Sequence, residues 1–72
     1  MNDIYLKYDI YNKQIHKIGS VQLDIDKKAD IEKWRNPNLL IEESIEFFKS
    51  KYSEYKDDEL TSIYSGEIIL NN

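Results

Sequence analysis

Apolar and polar residues alternate near the start of the chain. Ile4, Leu6, Tyr8 and Ile10 fall on one parity; Tyr5, Lys7, Asp9 and Tyr11 fall on the other. A period of two in β-branched and aromatic residues predicts a strand with its even side turned inward. Three tyrosines at every third position thereby divide. Tyr8 joins the core parity, and Tyr5 and Tyr11 share the opposite face, about 20 Å apart along the strand. "YNKQ" at 11–14 predicts a tight turn, with Asn12 tolerating a positive φ. A second strand follows over roughly 14–25. Ile15, Val21, Leu23 and Ile25 share one side; His16, Ile18, Ser20, Gln22 and Asp24 share the other. Lys17 falls on the apolar parity and Ile18 off it. Either Gly19 marks a bulge that resets the phase, or the strand is plain and Ile18 is exposed.

The period then changes to that of a helix. Asp26 suits the cap of a short helix over 27–35, which must stop before the Asn36-Pro37 pair. Asn36 is in turn a good cap, and Pro37 a favoured first residue, for a second helix running to about Tyr55. Ile41, Ile45, Phe48, Tyr52 and Tyr55 recur at spacings of four and three and form one apolar stripe. Glu42, Glu43 and Glu46 near its start, and Lys49, Lys51 and Lys56 near its end, suit the helix dipole. After a polar connection, "KDDE" at 56–59, a third strand spans Leu60 to Leu70. Leu60, Tyr64, Ile68 and Leu70 fall on one face; Thr61, Ile63, Ser65, Glu67 and Ile69 fall on the other.

This order predicts one α+β domain over residues 1–72, of ββαβ type. A helix of about 19 residues spans roughly 28 Å and returns the chain to the far end of the sheet. A right-handed crossover then sets strand three beside strand one, giving a three-stranded antiparallel sheet in order 2-1-3. The long helix, preceded by the short one, covers one sheet face, with Trp34 and Ile31 closing its end. Nothing remains to cover the other face.

Size and composition limit the chemistry. A chain of 72 residues buries only about 60% of its unfolded surface and gains from packing or association. With no cysteine and a single histidine, His16, it has no disulfide, no thiolate metal site and no multi-histidine zinc site. No phosphate-binding glycine loop or nucleophile motif is present, and "EYKDDE" at 54–59 lacks the length and glycine of a calcium loop. We therefore expect no enzyme, no cofactor and no metal. The first residues lack the basic start and apolar run of a signal peptide, and no run approaches a membrane span, so a cytoplasmic protein without membrane contact is expected. The richness in Ile, Lys, Asn and Tyr suits a low-GC genome.

Charge is uneven. Residues 1–37 carry seven basic groups against six acidic ones, whereas residues 38–72 carry three against eight. The acidity belongs to the C-terminal half: Glu42, Glu43, Glu46, Glu54, Asp57, Asp58, Glu59 and Glu67. Such a row can imitate a phosphate backbone and steer onto a basic groove. Direct nucleic-acid binding would need a basic stripe, which the chain lacks. The second candidate surface is the bare sheet face, with Tyr5, Tyr11, Ile18, Ile63 and Ile69 as anchors among Lys7, Asp9 and Glu67. Tyrosine and isoleucine mixed with charge suit a protein interface. The expectation is a non-enzymatic acidic protein-binding module with a basic partner, such as a nuclease or another nucleic-acid-binding enzyme. Phages and mobile elements make inhibitors of this kind against defence enzymes, of the anti-CRISPR or anti-restriction type. The alternatives are an antitoxin or immunity protein neutralising a cognate toxin, or a structural or regulatory homodimer pairing through the open sheet face.

Overall fold

The computed structural model describes residues 4–26 and 28–69. Strand β1 (Ile4–Tyr11) and strand β2 (Lys17–Ile25) form an antiparallel hairpin. Two helices follow, α1 (Ile31–Arg35) and α2 (Pro37–Lys51), and the chain returns through strand β3 (Thr61–Ile69). The sheet runs β2-β1-β3 with both pairings antiparallel, the α+β architecture that the residue pattern predicts. Leu60 precedes β3, and Leu70, the expected end of that strand, lies outside the described residues.

The core forms where the even face of β1 meets α2. Ile4, Leu6, Tyr8 and Ile10 are buried with Val21, Leu23 and Ile25 of β2 and Leu40 and Phe48 of α2. The buried ridge of α2 is Leu40, Ser44 and Phe48, one helical turn apart, with Ile41 and Ile45 half-buried beside it. The expected stripe centred on Ile41 and Ile45 is thus rotated. The cause is Ser44, whose small side chain lets α2 approach β3 closely. Its Oγ lies 2.6 Å from the Oγ of Ser62, and both serines are buried. Ser44 also donates to the Ile41 carbonyl, so the pair satisfies itself without water.

Several element ends differ from expectation, each for a local reason. Asn12 anchors the hairpin loop through its side chain, whose Oδ1 accepts from the N–H groups of Gln14 and His16. The positive φ falls on Ile15 instead, at 63°. Asp26 holds the N–H groups of Lys28 and Ala29 in a turn, and the Asp26 N–H donates to Asp30. Helical structure therefore begins only at Ile31, not near residue 27. Asn36 caps α2 as expected, accepting from the Asn38 N–H. That helix ends at Lys51, and a 3-10 turn over Ser53–Tyr55 replaces its expected last turn. Tyr52, the cap one turn beyond Phe48 in α2, sets its ring centroid 4.8 Å from that of Phe48, and the tighter turn brings the Tyr55 ring to 5.5 Å from it.

Two register shifts decide which residues share a face. In β2 the shift lies between the partners of Ile10 and Tyr11: Gly19 pairs with Ile10 and Lys17 with Tyr11, leaving Ile18 as the extra residue. The bulge reading therefore holds. Ile18 packs against the core and is not an anchor on the open face. In β3 the extra residue is Ser65, since Tyr64 pairs with Tyr8 and Gly66 with Lys7. Beyond it the phase inverts: Glu67 lies across from Leu6, Ile69 from Ile4, and Ile68 from Tyr5. The expected placement of Glu67 on the open face is thus corrected, and Ile68 takes the position beside Tyr5; the side chain of Ile69, also expected there, lies outside the described residues. Gly66 permits the bulge with a φ of 146°, a backbone conformation that side chains other than glycine rarely adopt.

Candidate functional site

An apolar groove opens on the helix-covered side, between α2 and the β3 edge. Leu6 and Tyr8 form its floor, Leu40 and Ile41 one wall, Trp34 and Pro37 one end, and Tyr64 the opposite lip; its volume is about 270 Å³. Each wall has a local cause. The Asn36-Pro37 junction breaks the helix and turns α1 across the end of α2, placing Trp34 at the corner. The pairing of Tyr64 with Tyr8 sets the two rings edge to face, with centroids 5.6 Å apart. Tyr8 is buried, whereas Tyr64 is 51% exposed and Trp34 37%. Burial, and then the neighbouring Tyr64 and Glu43, push the Tyr8 phenol above its ordinary value of 10.0, so it stays neutral. The groove is apolar below and aromatic at its mouth, a form that accepts an apolar side chain.

Four carboxylates lie on the helix side of the molecule. Glu43 is engaged by Lys33, its Oε1 lying 2.9 Å from the Lys33 Nζ, and the pair ties α1 to α2 beside Trp34. That contact raises the Lys33 pKa, chiefly through the hydrogen bond and then through the charge of Glu43. Glu42 and Glu46 are exposed along α2 next to Leu39, in a shallow depression shared with Lys33 and Glu43. Glu67 is exposed across from Leu6, on the groove side of β3. The register shift that removes Glu67 from the open face thus brings it to the groove side.

The remaining acids form a separate group. Asp57, Asp58 and Glu59 face Asn12, Lys13 and Gln14 of the hairpin loop, with Tyr55 between them. Glu54 is exposed in the adjoining 3-10 turn. The eight carboxylates therefore do not form a single row: Glu42, Glu43 and Glu46 share a depression on α2, Glu67 stands on β3, and the rest gather at the hairpin end. Among the described residues no cluster of three or more His, Asp or Glu side chains has the spacing to hold a metal ion.

On the opposite side of the sheet, β1 presents Tyr5, Lys7, Asp9 and Tyr11, all half-buried. β2 flanks them with Asp24, Gln22, Ser20 and Lys17, and β3 with Ile68, Gly66, Ile63 and Thr61. Tyr5, Tyr11 and Ile63 thus share one face. Trp34 and Tyr64 were legible only as cover for the core; an aromatic immediately before a helix break was the available signal for an exposed ring. Comparison with protein-family models, with curated proteins and with solved structures yields no match to this chain.

Proposed function

We propose that the chain is a non-enzymatic protein-binding module that takes an apolar anchor of a basic partner into the Trp34–Tyr64 groove. The observation that carries this reading is the groove itself, an aromatic-lipped apolar trough, with Glu67 on the same side of the sheet and Glu42, Glu43 and Glu46 in a separate depression on α2. Trp and Tyr are the side chains that dominate interface energetics when they ring an apolar centre. The carboxylates on this side of the molecule select a partner whose anchor sits among lysines and arginines. A nucleic-acid-handling enzyme carries such a basic surface, and occluding it would inhibit that enzyme, the role phage and mobile-element proteins play against host defence.

The test begins with capture from lysate, identification of the captured protein, and purification of both components. Affinity is then measured by calorimetry for the parent and for Trp34→Ala and Tyr64→Ala. Each substitution is expected to weaken binding by about tenfold or more, since a hot-spot truncation costs about 2 kcal/mol. Binding should also weaken with added salt. A captured partner that binds both variants as tightly as the parent sinks the proposal.

A further inference from the structure

The open sheet face is charge-neutral in a protein of net charge −4, and its pattern has a symmetry. Take the level of Tyr8 as a centre and read along each strand. On β1, Lys7 and Asp9 stand one step either side, and Tyr5 and Tyr11 three steps. On β2, Asp24 lies across from Tyr5 and Lys17 across from Tyr11. On β3, Gly66 lies across from Lys7 and Ile63 across from Asp9. Every charge thus has its opposite at the mirror position along its own strand, and the one large exposed apolar residue near the centre has a glycine at its mirror position.

We infer that this face is a two-fold interface with a second copy of the chain. The two-fold axis lies between the sheets, perpendicular to the strands at the level of Tyr8. Rotation about it lays each strand over its own counterpart, reversed. Lys7 then faces Asp9 of the second copy, and Asp9 faces its Lys7. Lys17 faces Asp24 of the second copy in the same reciprocal way. Tyr5 meets Tyr11, and Ile63 enters the gap above Gly66, where no described atom stands within 4 Å of a would-be Cβ. Such reciprocity is what an isologous interface requires. Aligned sheets pack with an offset of about 30°, which displaces the outer pairs more than the central Lys7–Asp9 pairs.

Asp9 keeps 18% of its side chain exposed on this face beside Lys17. Its Oδ1 lies 3.3 Å from the Lys17 Nζ, yet that oxygen is buried and accepts no hydrogen bond from any described residue. The size of the face sets the strength. Three strands of nine residues or fewer cover roughly 30 by 15 Å, so two copies bury under about 1,200 Å², the range of weak and reversible association. The dimer is therefore a weak one that forms and dissociates with concentration.

Sedimentation equilibrium of the purified protein tests this. The parent is expected to pass from the 8.6 kDa chain mass toward twice that value as concentration rises from about 1 μM to about 1 mM. Lys7→Glu and Asp9→Lys, each alone, should weaken self-association by about tenfold or more, because like charges then meet at both central pairs. An equimolar mixture of the two should recover it. The first variant carries carboxylates at both central positions and the second carries ammonium groups at both, so opposite charges meet again at each pair. Circular dichroism of each variant checks that it is folded. A parent that stays at the chain mass throughout overturns the inference, and so does a mixture of folded variants that associates no better than either alone.

Discussion

At the scale of single residues, two positions show the backbone and the side chain in tension. Ile15 is a β-branched residue with a φ of 63°, at the loop position that glycine or asparagine normally fills. It is also 78% exposed, so no buried contact repays the strain. Ile15→Gly should therefore raise stability by about 1 kcal/mol, since a left-handed conformation costs an L-residue roughly 1–2 kcal/mol and glycine returns part of that in chain entropy. In a domain of this size that corresponds to about 4–8 °C in Tm, read by thermal denaturation; an unchanged or lower Tm contradicts it. Gly19 shows the converse. A Cβ built there would lie 2.6 Å from Cε1 of Phe48, a ring with 1% exposure that has no room to retreat. Gly19→Ala should destabilise by about 1–3 kcal/mol as the ring is forced off its rotamer, seen as a lower urea midpoint at unchanged slope. The two glycines of the chain are thus unlike: Gly66 serves a backbone angle, and Gly19 makes space for a ring.

At the scale of elements, what the sequence made legible followed periodicity, and what it hid followed bulges and polar burial. The inward parity of β1, the Asn36-Pro37 junction and the strand order were all readable, because each rests on a repeated or strongly local signal. The outward placement of Glu67 failed because one inserted residue, Ser65, inverts the phase of the strand beyond it. Ile18 failed by the same mechanism in β2, although there Gly19 and the misplaced Lys17 did announce the bulge. The Ser44–Ser62 bond was unreadable, since two serines 18 positions apart carry no pattern that marks them as a buried pair. The groove was half legible: its residues were expected as core cover, but not its open lip. The turn entering α1 has a consequence for pH. Hydrogen bonds from the N–H groups of Ala29 and Lys28 hold the Asp26 carboxyl below its ordinary value of 3.8. A lowered folded-state pKa means the turn is fully stabilised above the unfolded value and loses that contribution as pH falls through the folded value. Asp26→Asn keeps an acceptor but not the titration. Its stability relative to the parent should thus improve as pH drops below about 4, measured by urea unfolding between about pH 2 and 6. A parallel pair of pH profiles contradicts this.

At the scale of the whole molecule, the chain is a two-layer slab with extents of 37 × 21 × 18 Å. Its radius of gyration of 12.6 Å exceeds the roughly 11 Å typical of a compact 72-residue domain. A slab has two broad sides, and here they differ in chemistry: an aromatic groove and a separate acidic depression on the helix side, a charge-balanced face on the other. A dimer through the balanced face would leave both grooves outward, so a partner with two basic sites would be held by avidity and not only by a single groove. The division of labour at the groove side is measurable in rates. Glu42 and Glu46 are exposed and act on the approaching partner through their field, which governs encounter. Trp34 and Tyr64 act only after water has left the groove, which governs escape. Glu42→Lys/Glu46→Lys should therefore lower the association rate, by about tenfold at low salt and little at high salt, with the dissociation rate nearly unchanged. Trp34→Ala should do the opposite, speeding dissociation while leaving association and its salt dependence intact. Surface plasmon resonance with the identified partner at two ionic strengths separates the four rates. If the charge reversal acts mainly on dissociation, the carboxylates are buried contacts and the long-range steering assigned to them is wrong.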